Sequence, residues 1–421
     1  MRPLLILLCL LCTIPASAQS EATLPDTSVA ERHWGVAVLA NPGQVLAMDE
    51  YVKKWLKHKS TTSIGAELNY AFLPNDSNAF AADFGYPTLS LGVRYAFNSR
   101  VRMHRDPDPD WGLAEEVDYD SHLGNTLSLY GLFTRPVLRQ KHWEIDYALG
   151  IGLGYSSLIY NTKNDIDNEL IGSHLLVFFE AGLHLTYHPV SQWGIRVGLD
   201  FTHHSNGALT RPNKGTNTIG PSFALVYTPY YETLVSDGHL RFNPPFQRKW
   251  YIDICAGVGA KTLVEDWSLT QFYTAPGDDD YRTDHFHLYM AYSLQLSAMY
   301  RYARRWASGV GLDLFYGDYA WRTKELDEAA GYSLKHSPWS IGLAAKHEVF
   351  FGRLSAPMEI GYYLYRHMGQ SAKEIETPYY ERIGLRYHFP TLGGLSIGLH
   401  IKAHALKADF TEIGLSMPIP L

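Results

Sequence analysis

GLDFTHHSNGALTRPNKGTNTIGPSFALVY, from Gly198 to Tyr227, reads as a strand, a tight polar loop and a returning strand. Side chains of a strand alternate between its two faces, so Ile195, Val197, Leu199 and Phe201 share a face that His203 and Ser205 continue. A base and a hydroxyl therefore lie two residues apart on an apolar face. On the returning strand Asn217, Ile219, Pro221, Phe223 and Leu225 share a face in the same way, which brings Asn217 to the same side near the same end. What that apolar face meets decides the fold.

The same alternation runs outward from this stretch in both directions. Sixteen segments read as strands, centred near Val38, Glu67, Leu91, Leu129, Leu149, Phe179, Val197, Phe223, Ala256, Tyr292, Leu312, Ala344, Ile360, Leu385, Leu399 and Leu415. Each is roughly ten residues long, the length a tilted strand needs to cross a hydrocarbon layer. In the fifth, Trp143, Ile145, Tyr147, Leu149, Ile151, Leu153 and Tyr155 face one way, while Glu144, Asp146 and small residues face the other. The apolar row with aromatic ends suits lipid, and the polar row suits a barrel lumen.

Composition agrees. Aromatics make up 14% of the chain and tyrosine alone counts 29, yet after the first residues no run approaches the roughly 18 apolar residues of a membrane helix. Arg2, the apolar run 4–11 and Ala16-Ser17-Ala18 form an expected cleavable signal over residues 1–18, which leaves Cys255 as the only cysteine of the mature chain and excludes an internal disulfide. A net charge of -7 with scattered signs, and the lack of a phosphate-binding glycine loop or zinc-ligand spacing, exclude nucleic-acid and zinc classes. The expected location is the outer membrane of a Gram-negative bacterium.

A water-soluble sandwich also alternates, so connection lengths supply the second discriminator. Connections 98–125, 265–285 and 317–337 are long and polar, whereas 135–142, 188–192, 302–305 and 390–394 are short. Barrels of the outer membrane have long external loops and short periplasmic turns, which sends odd strands outward. Two connections break the pattern, 73–87 and 228–248. The second divides the strands eight and eight. The fold expected is an all-β antiparallel transmembrane barrel of about sixteen strands: residues 19–228 supply strands 1–8, 229–247 a periplasmic connection, and 248–421 strands 9–16 completing the barrel. The alternative is two barrels of eight.

With odd strands running outward, His203 and Ser205 reach the external end on the lipid-facing side, which points to a lipid substrate. Serine is a weak nucleophile until a neighbouring base takes its proton, and histidine does so near neutral pH. Asn217 is a third, orienting group. The backbone N–H groups of Asn206 and Gly207 are candidate oxyanion donors. No cofactor is called for. His203 and His204 together do not make a metal site, because neighbours on a strand point to opposite faces.

The run HHSNGALTRPNKGTN resembles the outer-membrane lipid A 3-O-deacylases, and more closely their Bacteroidetes-type relatives described as acyloxyacyl hydrolases. The family's His-x-Ser-Asn motif falls on His203, Ser205 and Asn206, which implies His203 as general base and Ser205 as nucleophile. Its acidic third member falls at Asn217, where this chain has an amide. The resemblance implies an acyl ester of lipid A, in the lipopolysaccharide of the outer leaflet, as substrate. The second half resembles the longer relatives through LHIKAHALKADFTEIGLS.

In that second run, alternation points His400, Lys402, His404 and Glu412 into the lumen, where a polar network is the ordinary outcome. The first long loop, MDEYVKKWLKHKS, groups Lys53, Lys54, Lys57 and Lys59 around Trp55 and Leu56 as a short amphipathic helix would. Lys53, Lys54, Arg211 and Lys214 are candidate contacts for lipid A phosphates. The acidic run 278–280 reads as solvated loop charge. The reading from this sequence is an outer-membrane serine esterase acting on a lipid. Its rivals are a porin-like barrel, with the charged lumen setting what passes, and a catalytically inactive structural or binding relative.

Overall fold

The computed structural model describes residues 32–112, 115–374 and 376–421; the expected signal segment lies outside them. All sixteen wall strands are present. The first eight are β1 (Trp34–Val45), β2 (Ser60–Ala71), β3 (Thr88–Phe97), β4 (Thr126–Arg139), β5 (Trp143–Ser156), β6 (Leu175–Val190), β7 (Trp193–Ser205) and β8 (Thr216–Tyr227). A link carrying a short helix, Tyr231–Ser236, leads to β9 (Lys249–Lys261), β10 (Tyr289–Ala303), β11 (Trp306–Gly317) and β12 (His336–Phe351). The last four are β13 (Leu354–Met368), β14 (Tyr379–His388), β15 (Ser396–His404) and β16 (Lys407–Pro420). Among the described residues no helix is long and apolar enough to cross a membrane.

Closure differs from the arrangement expected first. β8 returns to pair with β1, setting Val36 opposite Tyr227, and β16 returns to β9, setting Tyr251 opposite Pro420. The chain forms two closed antiparallel barrels of eight strands, so residues 248–421 close a second barrel rather than completing the first. Side chains explain the choice. An eight-stranded barrel is just wide enough for its inward side chains to meet across the interior. Here Arg94 reaches Glu180 at 2.5 Å, Arg196 reaches Glu67 at 3.0 Å, and His184 lies between Asp146 (2.8 Å) and Asp200 (2.9 Å). In the second barrel Arg382 meets Glu412 at 2.5 Å, Arg386 meets Asp253 at 3.0 Å, and Lys346 joins Asp313 (2.7 Å) to Glu359 (3.0 Å). Arg94 and Glu180, Arg196 and Glu67, and Arg386 and Asp253 stand three strands apart around their walls, and a sixteen-stranded wall would hold such partners apart across water, whereas a buried charge needs a close partner.

The outer faces are the apolar rows read from the sequence: Leu149, Ile151, Leu153 and Tyr155 on β5 and Ile195, Val197 and Leu199 on β7 are all exposed. Closure leaves no unpaired strand edge, the condition for exposing such walls to hydrocarbon.

At the rim that carries the long connections, three short strands, Leu56–His58, Arg102–Met103 and Ser121–His122, form a small sheet. It covers a cluster built from Val45, Val52, Leu56, Val101, Met103 and Leu170. The two barrels meet at both rims. At the long-loop rim, buried Arg282 of the second barrel donates to Asp167 (2.8 Å) and to the Ile166 carbonyl (2.9 Å) of the first. At the other rim Arg304 bonds Asp83 at 3.0 Å, and the ring of Phe351 lies 5.3 Å from that of Phe72 and 5.6 Å from that of Phe133.

Candidate active site

β7 and β8 pair with His203 directly opposite Asn217, and this register sets the imidazole beside the amide on the outward face. His203 Nδ1 lies 2.8 Å from Asn217 Oδ1, and His203 Nε2 lies 2.9 Å from Ser205 Oγ. Because Oδ1 of an amide only accepts, the bond to Asn217 puts the ring proton on Nδ1. Nε2 then faces the serine hydroxyl as an acceptor. Side-chain oxygen, imidazole and hydroxyl therefore form one chain in the order an activated serine requires.

The surroundings are apolar. On β6, Phe179 stands opposite His203 and Val177 opposite Ser205, while Phe201 pairs with Ile219. His203 itself is half-buried and Ser205 is 7% exposed. Gly215, at φ +73°, backs the histidine: a Cβ there would come within 2.9 Å of His203 Cε1, so a side chain would both strain the backbone and displace the ring. His204, on the opposite parity, points into the lumen. Its Nε2 meets Ser128 Oγ at 2.9 Å and its ring lies 5.0 Å from that of Phe178.

The loop between β7 and β8, residues 206–215, is tied on two sides. On its own barrel, Gly215 N–H donates to the Leu170 carbonyl at 3.0 Å and Lys214 N–H to the Glu169 carbonyl at 3.2 Å. On the other side it meets the second barrel. Thr411 Oγ1 donates to the Gly207 carbonyl at 2.9 Å, and the Ala208 carbonyl accepts from Thr262 N–H at 2.8 Å and from Thr262 Oγ1 at 3.1 Å. Of the two oxyanion candidates, the Asn206 N–H is engaged, donating to Asn213 Oδ1 at 3.0 Å. Among the described residues the N–H groups of Gly207 and Ala208 have no hydrogen-bond partner.

The four candidate phosphate contacts each have a protein partner. Lys53 pairs with Glu50 at 2.6 Å and Lys54 with Asp108, both at the surface of the helix Glu50–Trp55, which is capped by Asp49. Arg211 turns to the second barrel and donates to the Thr262 carbonyl at 3.0 Å. Lys214 lies 3.2 Å from Asp49 and 3.4 Å from buried Glu169; burial alone would lower its pKa, but these carboxylates outweigh it and raise it. Two groups of histidine and carboxylates converge elsewhere, His104–Asp106–Glu116 and Glu376–His404–Asp409. Neither contains a residue of the serine constellation, and in the second Asp409 already holds Lys402, at 2.7 Å, and Lys261. His404 and Glu412 are buried, His404 on Tyr363 OH at 2.8 Å and Glu412 on Ser293 at 2.6 Å and Arg382.

Alternation along β7 and β8 placed His203, Ser205 and Asn217 on one face, and the structure brings the three within hydrogen-bond distance. Alternation missed Asn213, Gly215, Thr262 and Thr411. Of these only Thr411 left a signal, as a hydroxyl on the outward row that continues with Ile413, Leu415 and Met417.

Comparison with known proteins follows the division into barrels. A family model described as lipid A 3-O-deacylase (PagL) matches residues 85–226, and one described as acyloxyacyl hydrolase, C-terminal domain, matches residues 250–419. Among solved structures, the outer membrane enzyme PagL is 18% identical with a TM-score of 0.28, covering 46% of this chain and 99% of its own. An outer membrane channel from Pseudomonas putida F1 is 9% identical with a TM-score of 0.19, covering 95% of this chain and 100% of its own. The copper transporter OprC is 12% identical with a TM-score of 0.23, covering 82% of this chain and 52% of its own. No curated protein matches.

Proposed function

Since this chain belongs to the outer-membrane lipid A 3-O-deacylase family, with an acyloxyacyl hydrolase C-terminal domain as its second barrel, we propose that it cleaves an acyl ester of lipid A at Ser205. The observation that carries the reading is the unbroken hydrogen-bond chain from Asn217 through His203 to Ser205 on the apolar outer wall. Val177, Phe179, Phe201 and Ile219 around it would hold the acyl chain beside the serine from the lipid side.

In the mechanism, Ser205 Oγ attacks the ester carbonyl while His203 Nε2 takes its proton. The N–H groups of Gly207 and Ala208, rather than that of Asn206, are the donors free to meet the oxyanion. Collapse of the tetrahedral intermediate breaks the bond to the sugar or hydroxyacyl oxygen, which leaves with the proton from His203. Water, deprotonated by the same imidazole, then releases the fatty acid and restores Ser205. No cofactor takes part. Arg211 and Lys214 are held within the protein, so of the four cations the surface pair Lys53 and Lys54 is the better placed for phosphates.

Mass spectrometry of lipid A incubated with purified full-length protein tests the reading. The parent should remove one acyl chain, and Ser205→Ala and His203→Ala should each lower the rate by about 10³-fold or more while the protein stays folded and inserted. Undiminished release by Ser205→Ala, or lipid A left fully acylated by the parent, would sink it.

A further inference from the structure

The loop that follows Ser205 is held by both barrels. Thr262 follows the last residue of β9 and Thr411 lies in β16, at the place where these two strands close the second barrel. Thr411 belongs to the outward row that continues with Ile413 and Leu415, both of them exposed. A hydroxyl heading such a row needs a partner, and it has one in the carbonyl of Gly207, two residues beyond Ser205. No side chain fits at 207, since a Cβ there would lie 2.1 Å from Thr411 Oγ1 and Gly207 already sits at φ +63°.

The consequence follows from peptide planarity. In a trans peptide the C=O and the following N–H point in opposite directions. Thr411 holds the Gly207 carbonyl toward the second barrel, which turns the Ala208 N–H away from it. Thr262 holds the Ala208 carbonyl, and the N–H of that next peptide, on Leu209, returns to the Asn206 carbonyl at 3.3 Å. The Asn206 carbonyl being so used, the Gly207 N–H faces the other way. The second barrel thus fixes two successive peptide planes, Leu209 N–H fixes the one before them, and the N–H groups of Gly207 and Ala208 are left without a partner among the described residues. We propose that Thr411, with Thr262, is a positioning residue of the second barrel that sets the oxyanion-binding peptides of the first, so that the second barrel is a working part of the deacylation site. This rests on the acyl-ester reading above.

The test uses the full chain with Thr411→Val, which keeps the shape and removes the hydroxyl, and Thr411→Ser, which restores it. Steady-state release of fatty acid from lipid A should show Thr411→Val lowering kcat about 10- to 100-fold with KM within twofold, and Thr411→Ser recovering at least half of the parent kcat. Amide hydrogen exchange of residues 206–210 should rise in Thr411→Val and stay at the parent level in Thr411→Ser. A Thr411→Val protein with parent kcat, a Thr411→Ser protein as slow as Thr411→Val, or a loop whose exchange does not change, each overturns the proposal. A parent that releases no fatty acid overturns the acyl-ester reading instead, and the exchange measurement then judges the anchoring by itself.

Discussion

Replacing Asn217 by Asp tests the proposed serine constellation at the position where the resemblance implies an acidic residue, and the size of the effect can be worked from the geometry. The amide oxygen sits 2.8 Å from His203 Nδ1, so it fixes the ring and its tautomer but offers only a dipole to the imidazolium that forms when Ser205 attacks. A carboxylate of the same shape would add a full charge. At about 4 Å, with an effective dielectric constant of about 20, that charge is worth about 4 kcal/mol to the imidazolium. Desolvating the carboxylate against an apolar wall takes back more than half. The remaining 1–2 kcal/mol, on the order of 5- to 30-fold in rate, should appear as a higher kcat for Asn217→Asp. Asn217→Ala moves the other way, since losing a hydrogen bond worth about 1 kcal/mol lowers kcat at least about fivefold and frees the ring to turn. The assay is fatty-acid release from lipid A in mixed micelles under saturating substrate, with folding checked by the heat-dependent gel mobility of the barrel. A folded Asn217→Asp protein no faster than the parent, or an Asn217→Ala protein as fast as it, would refute the assignment of His203 as the base.

Three other outcomes follow from the fold. Both lumens are crossed by ion pairs, Arg94 to Glu180 and Arg196 to Glu67 in one and Arg382 to Glu412 in the other, so the protein in planar bilayers should show no stepwise conductance; porin-sized steps would restore the channel reading. Arg282→Met strands the buried Asp167 carboxylate between the barrels at a cost of about 3–5 kcal/mol, which hydrogen exchange should register as faster opening of residues 157–174. Asp165, in the same connection, has its pKa raised by burial from 3.8 to about 7, against the smaller opposing pull of its bonds with Asn168 and His122 N–H. A carboxyl group raised in this way adds stability that is fully present below about pH 4 and lost as pH rises through 7. Residues 157–174 should therefore exchange more slowly at pH 5 than at pH 8 after correction for intrinsic rates, and Asp165→Asn should remove the difference.

Much of the site was legible because it is local. Period two puts His203 and Ser205 on one face without any knowledge of neighbours, and the loop between β7 and β8 brings Asn217 to the same face by parity alone. The partners that hold the loop were not legible for the opposite reason. Thr411 is 204 residues from Gly207, and Asp167 is 115 from Arg282, so nothing in the pattern around either residue names the other. The lysines show the same limit. The sequence groups Lys53, Lys54, Lys57 and Lys59 in one segment, where Lys53 finds Glu50 three residues away, but Asp108 and Asp106, the carboxylate partners of Lys54 and Lys57, come from the next long connection, and only folding of that loop brings them together.

The number of barrels is a subtler case, because alternation reports in or out and says nothing about which strand closes on which. Yet the inner rows do carry a measure of width. Tyr130 on β4 lies over Gly92 of β3, where an added Cβ would be 2.3 Å from the ring, and Tyr380 on β14 lies over Gly361 of β13 at 2.1 Å. A large inward side chain set across from a glycine is space-filling, and space-filling is needed only where the interior is about as narrow as two side chains. A water-filled lumen of sixteen strands puts no such demand on its wall and leaves opposite charges on strands that are not neighbours too far apart to pair. Inward tyrosines set over inward glycines of the neighbouring strand, found in each half of the chain, therefore argue for eight strands and eight strands. By the same argument the second barrel has its interior polar groups spent on one another, and what it can contribute to Ser205 must come from its rim, where Thr262 and Thr411 stand.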